Sequence, residues 1–339
     1  MVSSRGRRRR RALPSRRRPL IHIALAAVAI AGVTAGGTVY VKARAHSDPV
    51  SSAKSPSPSS SSSASASASA SGEESVEPVA EPAVDRVALL AKAMKSVTVP
   101  AAAKVSAAVL SLDSGDSAAY GDGAFDTASI VKVDILATLL LQAQDAGRHL
   151  TATEKAYATK MIENSDNVSA TALWDTIGQA DGLDAANKRF GLTGTAGGDG
   201  ALWGLTQTTA ADQLVLLQQV FGDDSKLSEA SRAYLQGLMK NIESDQQWGV
   251  SAASGGAAPA LKNGWLARST TGLWDVNSIG RVTVDGTAYL VAVLSNGSAS
   301  QAKGISLVES AAKAAVSAFT GGSASTSSKA VTDESTEAR

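Results

Sequence analysis

A serine and a lysine three residues apart, Ser129 and Lys132, open the run SIVKVDILATLLLQAQDA, whose apolar spacing predicts a helix over 129–146. Residues three apart lie on one helix face, so the Lys132 amine can approach the Ser129 hydroxyl. A serine hydroxyl is a weak nucleophile until a base accepts its proton, and a lysine whose pKa is lowered by burial can accept it. The helix N-terminus adds backbone N–H groups where an oxyanion would develop. The pair predicts acyl transfer with Ser129 as nucleophile.

The Ser-x-x-Lys spacing is by itself a weak signal. Three other matches occur, Ser51 with Lys54, Ser300 with Lys303 and Ser310 with Lys313. The order of motifs distinguishes the first pair. Among the matches between 85 and 320, only Ser129 precedes both Ser165–Asn167 (SDN) and Lys262–Trp265 (KNGW), the latter on a strand-like segment.

With these ordered motifs, residues 87–319 resemble the class A β-lactamase and penicillin-binding-protein superfamily of serine acyl-transfer enzymes. The signature of that superfamily is S-x-x-K, then S-D-N, then K-T-G. The resemblance implies that Ser129 is acylated and that Lys132 accepts or relays its proton. It also implies an oxyanion hole made by the backbone N–H of Ser129 and a second N–H at Trp265 or Leu266.

The resemblance assigns roles to the later motifs as well. Ser165 would pass a proton to the leaving nitrogen, and Asn167 would hold the substrate amide. Lys262 would attract the substrate carboxylate and acidify the surroundings of Ser165. Asn263 and Gly264, with Trp265 after them, would line the substrate along the same strand.

The sequence departs from the family pattern at three points. The stretch 191–209, where lactamases of this family carry a glutamate that activates the hydrolytic water, contains Asp199 as its only acid. Asn263 stands where the family usually has a hydroxyl residue, although an amide can still donate. The separation between Ser129 and Ser165 is shorter than the corresponding segment of typical lactamases. Acylation is expected, whereas Asp199 is either a substitute deacylation base or an ordinary turn residue between glycines.

The elements that position these motifs follow from apolar periodicity and turn signals. Residues 105–112 and 117–120 predict a hairpin, and late alternation predicts strands over 258–261, 273–284 and 288–294. Helices are predicted between these strands and at the end of the domain, over 129–146, 153–163, 169–177, 184–190, 210–221, 228–239 and 304–319. Strands at both ends with helices between them predict an α+β fold, with an antiparallel sheet built from both termini of the domain and a mainly helical insertion.

Composition excludes several other chemistries. The chain of 339 residues has no cysteine and three histidines, of which only His149 follows residue 46. A thiolate site, a histidine metal cluster and a Ser-His-Asp triad are therefore not expected, and neither a metal nor an organic cofactor is predicted. Eleven of the 32 basic residues precede His46, which leaves 21 against 31 acidic residues beyond it. This negative balance disfavours nucleic acid as a partner.

The N-terminal quarter, residues 1–84, has the composition of a leader and a tether. Residues 1–19 are rich in arginine, and 20–41 form an apolar run of 22 residues, long enough to cross a membrane as a helix. A long cleavable signal sequence is the alternative, because Ala43-Arg44-Ala45 resembles a cleavage site. Residues 42–84 are rich in Ser, Ala and Pro and predict a disordered linker. The polar residues 321–339 predict a disordered tail. The folded domain is predicted over 85–320.

Together these features predict an exported bacterial serine hydrolase, anchored by a single pass with its domain outside, or secreted if the leader is cleaved. A β-lactam or a related amide of the peptidoglycan type would acylate Ser129 and be hydrolysed. Two alternatives stay open: a penicillin-binding, peptidase or esterase type of enzyme with slow deacylation, and a catalytically idle binding module of the cell envelope. A monomer is expected.

Overall fold

The computed structural model describes residues 84–321. Its α-helices are α1 (Arg86–Met94), α2 (Val131–Asp145), α3 (Ala152–Glu163), α4 (Asn167–Ile177), α5 (Gln179–Phe190), α6 (Ala210–Phe221), α7 (Glu229–Lys240) and α8 (Gln301–Thr320). Its strands are β1 (Lys104–Ser111), β2 (Ser117–Tyr120), β3 (Phe125–Asp126), β4 (Gln207–Thr208), β5 (Ala260–Ala267), β6 (Trp274–Val284) and β7 (Thr287–Ser298). Short 3₁₀ turns lie at 128–130, 203–205, 244–246 and 249–253.

Five strands form one antiparallel sheet in the order β2-β1-β7-β6-β5. The two strands from the start of the domain therefore pair with three from its end, and the helices α2 to α7 are inserted between them. The expected α+β fold, with a sheet assembled from both termini, is confirmed. β7 is buried on both faces, which explains its nearly continuous apolar run.

Alternate residues of the strands contribute to two separate cores. Ala107 and Val109 of β1 pack with α1 and α8 on one face of the sheet. Ala108 and Leu110 pack on the other face, in a cluster shared with α2 and α6. α2 lies at the centre of this second cluster, and twelve of its side chains are buried. Helices α1 and α8, the sheet, and the inserted helices thus form three layers, and the N-terminus of α2 lies beside the sheet.

Several boundaries differ from the sequence prediction. Helix α1 was not predicted, and the two-residue strands β3 and β4, which pair Phe125 with Thr208, are too short to show periodicity. The predicted helix over 129–146 begins instead with a 3₁₀ turn at 128–130, and its α-helical part starts at Val131. Ser129 therefore lies in the tighter turn that precedes α2.

Among the described residues, no helix has the length and apolar character needed to cross a membrane. The predicted anchor at 20–41, the basic segment 1–19, most of the linker and the tail lie outside residues 84–321. Those assignments stay predictions.

Candidate active site

Ser129 lies in a turn with a strained backbone. Ala128, immediately before it, has φ of 47°, in the left-handed region that non-glycine residues rarely adopt. Ser129 is partly exposed, whereas Ala128 and Ile130 on either side are buried. A conformation of this kind costs about 1–3 kcal/mol and is retained only where the surrounding structure holds it. The turn places the partly exposed Ser129 just before the first turn of α2.

Strand β5 passes close to this turn because it carries Gly264. A Cβ atom at Gly264 would lie 2.7 Å from the backbone nitrogen of Ser129 and 2.8 Å from that of Ile130. Real Cβ atoms do not approach so closely, so only glycine allows this contact. Gly264 is therefore where β5 approaches the backbone of the turn that contains Ser129, and its predicted place along a substrate stays a prediction.

The Lys132 side chain is fully buried at the start of α2. Its amine donates to the carbonyl oxygen of Ser165 at 2.7 Å, to the Ser165 hydroxyl at 3.1 Å and to Oδ1 of Asn167 at 2.8 Å. Within residues 84–321, no hydrogen bond joins it to the Ser129 hydroxyl, although the spacing predicted an approach. Burial lowers the pKa of Lys132 to about 7, while the charge of Asp166 opposes this shift. Such an amine can be neutral near neutral pH and serve as a base.

Ser165 lies between the two lysines of the predicted site. Its hydroxyl accepts from the Lys132 amine at 3.1 Å and from the Lys262 amine at 3.0 Å. Ser165 has φ of 54°, a second left-handed non-glycine residue at this site.

Ser165 precedes Asp166, whose carboxylate accepts from the N–H of Ser169 and caps α4. The cap fixes the start of α4, where the exposed Asn167 follows.

Lys262 on β5 is also fully buried. Besides Ser165, its amine contacts the carbonyl oxygen of Asn263 at 3.1 Å and Oε1 of Gln246 at 3.5 Å. Burial and the neighbouring positive charge of Lys132 hold the pKa of Lys262 well below its usual value. An arriving carboxylate would favour the charged form of this amine.

The Asn263 amide does not point to the side of the strand that carries Lys262. Its nitrogen donates to the carbonyl oxygens of Gln246, at 2.6 Å, and Trp248, at 3.0 Å, and the side chain is fully buried. Both of its N–H groups are engaged, so this geometry provides no donor for a substrate, contrary to the expectation from sequence. The reason is the two-residue period of a strand, which turns neighbouring side chains to opposite faces.

Trp265 and Trp203 lie beside the predicted site residues. Trp265, expected beside the substrate, is half-buried, and its ring centroid lies 5.8 Å from that of Trp248. Trp203 is in the 3₁₀ turn at 203–205, with its ring centroid 5.0 Å from the Lys132 amine. The Trp203 indole N–H donates to the hydroxyl of Thr171 at 3.1 Å, which fixes the orientation of the ring.

Asp199 lies in the same 191–209 stretch as Trp203 but is exposed. Its backbone carbonyl accepts from the N–H of Leu202, which is a turn contact. Among residues 84–321, no hydrogen bond involves the Asp199 side chain, and no carboxylate contacts the Lys132 amine. The side chain next to that amine from this stretch is the indole of Trp203.

The site geometry therefore brings together Lys132, Ser165, Asn167 and Lys262, with Ser129 held against β5 beside them. The family model described as the beta-lactamase enzyme family matches residues 141–319, a little over half of the 339 residues. The chain belongs to the beta-lactamase enzyme family. The matched range includes the SDN and KNG motifs and begins after Ser129 and Lys132.

Solved structures of similar fold include PBP-A and several beta-lactamases. PBP-A is 22% identical, with 69% of this chain and 96% of that chain covered and a TM-score of 0.60. TLA-3, an extended-spectrum beta-lactamase, is 15% identical over 68% and 96% of the two chains, with a TM-score of 0.59. A class A beta-lactamase representative from Bacteroides cellulosilyticus is 16% identical over 70% and 99%, with a TM-score of 0.59. No protein of curated function matches the sequence. At these identities, the likeness shows the fold.

Sequence reasoning missed two residues that shape the site of this family member. Gln246 receives hydrogen bonds from Lys262 and Asn263, and it lies in a 3₁₀ turn without a motif that would have indicated it. Asn277 on β6 donates to the carbonyl oxygens of Asp126 and Thr127, just before Ser129. β6 contains several polar residues, so residue type alone did not distinguish Asn277. In the described part of the chain, no cluster of His, Cys, Asp and Glu has the arrangement of a metal site.

Proposed function

We propose that this chain is a serine acyl-transfer enzyme that is acylated on Ser129 by a β-lactam or by a related amide of the peptidoglycan type. The observation that carries the proposal is the Ser165 hydroxyl, which lies 3.1 Å from the Lys132 amine and 3.0 Å from the Lys262 amine. Two buried amines at one hydroxyl are unfavourable for stability alone, because each loses hydration and each repels the other when charged. The arrangement suits a path for proton transfer.

The proposed acylation begins with neutral Lys132, which takes the proton of the Ser129 hydroxyl while the Ser129 oxygen attacks the carbonyl carbon. The oxyanion is stabilised by the N–H of Ser129 and by a β5 N–H at Trp265 or Leu266. When the carbon–nitrogen bond breaks, Ser165 donates its proton to the leaving nitrogen and receives one from protonated Lys132. Catalytic contacts often tighten only when substrate binds, so the present Lys132 contacts with Ser165 and Asn167 are compatible with this sequence.

In the same proposal, Lys262 recognises the substrate carboxylate. A negative charge near its buried amine raises the pKa of that amine again, so substrate binding and protonation of Lys262 favour each other. Asn167 holds the substrate amide from the exposed start of α4. Asn263 supports β5 through Gln246 and Trp248 instead of contacting substrate.

A second candidate function, a penicillin-binding type of enzyme with slow deacylation, is favoured by the surroundings of the Lys132 amine. The 191–209 stretch places Trp203 beside this amine, whereas Asp199 is exposed. Hydrolysis of an acyl-enzyme needs a base that activates water, and an indole ring supplies none. We therefore propose that acylation is the faster half-reaction and that the acyl-enzyme persists.

The test is a time course of intact mass for the full chain mixed with a penicillin, with Ser129→Ala as the matched control. A lasting adduct that depends on Ser129 is expected. An adduct that forms and then clears would indicate efficient lactamase activity, and Asp199→Asn would then test Asp199 as its base. Absence of any adduct, or labelling that persists in Ser129→Ala, would contradict the proposal. Absence would favour an esterase with other substrates or an idle envelope module.

We also propose that residues 20–41 anchor the chain in a bacterial membrane with the folded domain outside, where peptidoglycan-type substrates occur. The apolar run and the arginines before it support this orientation. Expression in a bacterium, followed by membrane fractionation and protease treatment of spheroplasts, tests it. A domain that stays protected from protease would contradict the orientation, and a mature mass lacking the leader would indicate secretion.

A further inference from the structure

The side chain of Asn277 joins the nucleophile's turn to the central sheet. Asn277 lies within β6 and is fully buried. Its amide nitrogen donates to the carbonyl oxygen of Asp126 at 2.9 Å and to that of Thr127 at 3.0 Å. Its amide oxygen accepts from the backbone N–H of Ser295 on β7 at 3.0 Å. One amide group thus connects two central strands to the chain just before the nucleophile.

The turn that Asn277 contacts does not adopt a relaxed backbone. Ala128 follows the two bound carbonyls and has φ of 47°. On the other side, Gly264 lets β5 press against the backbone nitrogen of Ser129. A strained residue stays in place only where its neighbours determine its conformation. The buried amide of Asn277 contacts the two carbonyl oxygens that directly precede this strained residue.

Other contacts to this turn are weaker or come from loops. The Asp126 carboxylate pairs with Arg268, whose side chain is 34% exposed, and accepts a hydrogen bond from Gln207. Partly exposed ion pairs contribute little to stability, about 0–1 kcal/mol. The Thr127 N–H donates to the carbonyl oxygen of Thr206 at 2.9 Å, within the 191–209 stretch. Asn277 makes the side-chain contact to the turn that is buried and comes from the sheet itself.

We propose that Asn277 is a positioning residue for the serine nucleophile. The proposal rests on the proposed acylation of Ser129. By holding the carbonyls of Asp126 and Thr127, the amide keeps both the hydroxyl and the N–H of Ser129 where the reaction needs them. A displacement of about 1 Å in a reacting group can reduce a rate about 100-fold. Loss of the amide donor is therefore expected to slow acylation without weakening substrate binding.

The test uses two variants of the full chain. Asn277→Ser is too short to reach both carbonyls, and Asn277→Asp keeps the shape of the side chain and an acceptor for the Ser295 N–H but replaces the donating nitrogen. Penicillin acylation is followed over a range of concentrations. The maximal rate should fall about 10- to 100-fold in both variants, whereas the half-saturating concentration should change less than about threefold.

Ser278→Ala is the matched control. Ser278 is the next residue on β6, is also fully buried, and accepts from the Val250 N–H at 2.9 Å on the opposite face of the strand. Its loss removes a buried hydrogen bond that does not involve the nucleophile's turn. The control should lose stability, with a maximal acylation rate within about twofold of the wild-type value.

Hydrogen exchange provides a second readout that does not depend on acylation. Peptides covering 125–131 should exchange faster in both Asn277 variants and at the wild-type rate in Ser278→Ala. Unchanged exchange or an unchanged maximal rate in the folded variants would overturn the positioning role, as would failure of both variants to fold when the control folds. If wild type forms no adduct, the proposed acylation fails, and the exchange result still decides whether Asn277 restrains the turn.

Discussion

The buried carboxyl of Asp134 makes the stability of this domain depend on pH. Asp134 lies on α2 with 1% of its surface exposed, and its Oδ2 accepts from the amide nitrogen of Asn187 at 2.9 Å. Oδ1 of each of these residues lacks a hydrogen-bond partner among the described residues. A proton on Asp134 supplies the missing donor. Burial, aided by the charges of Asp184 and Asp212, raises the pKa of Asp134 from 3.8 to about 7, although the Asn187 contact opposes the shift.

The sign of the effect follows from proton binding. Between pH 4 and pH 7, the folded state keeps the Asp134 proton and the unfolded state releases it, so stability falls as pH rises. One pKa unit corresponds to about 1.4 kcal/mol, and a shift from 3.8 to about 7 corresponds to at most about 4 kcal/mol. Asp134→Asn cannot ionise and carries its own donor toward Asn187. The variant should therefore gain stability relative to wild type as pH rises, by an amount up to that figure.

The assay is urea unfolding of the full chain at intervals from pH 4 to pH 8. The difference in unfolding free energy between Asp134→Asn and wild type should grow through this range and level off above about pH 7. Asp224→Asn is the control, because Asp224 is exposed and its loss should change stability by less than about 0.5 kcal/mol at every pH. Parallel profiles for wild type and Asp134→Asn would refute the reasoning.

Three further results are expected for the site. The acylation rate should rise with pH around a midpoint near 7, the pKa of Lys132. Asp166→Asn should lower this midpoint, because it removes a negative charge that favours protonated Lys132. A variant whose rate, measured across pH, keeps the wild-type midpoint would contradict this prediction. Gly264→Ala should reduce the acylation rate more than about 100-fold, because the new Cβ would lie 2.7 Å from the backbone nitrogen of Ser129. A variant that is labelled by a penicillin at the wild-type rate would contradict this prediction. Trp203→Ala should expose the Lys132 amine to water and raise the midpoint of the pH–rate profile, whereas Trp203→Phe, which keeps a ring, is the control. An unchanged midpoint in the alanine variant would show that the indole does not shield the amine.

Much of the fold was predictable because the relevant signals are local. The strands of the β1–β2 hairpin and the helix α6 have the periodicity and turn residues that their structures require, and α6 begins and ends as predicted. Helix α1 and the two-residue strands β3 and β4 were missed. Short elements have too few residues for a period to be visible, and these two strands form through contacts with distant parts of the chain.

The chemical residues were predictable to a different extent. The order of motifs selected Ser129, Lys132, Ser165 and Lys262, and in the structure the Ser165 hydroxyl contacts the amines of both lysines. The direction of Asn263 was not predictable. A motif names a residue but does not say which face of its strand borders the cleft.

By itself, the sequence determined which groups are available: a serine and a lysine three residues apart, a second lysine on a strand-like segment, a glycine at 264, and no cysteine. Tertiary structure decided what these groups can do. Burial of Lys132 lowers its pKa to about 7, and this burial comes from helices and loops far away in sequence. Likewise, the restraint of the Ser129 turn by Asn277 joins residues about 150 positions apart. Desolvation and long-range hydrogen bonds depend on packing, which local patterns do not specify.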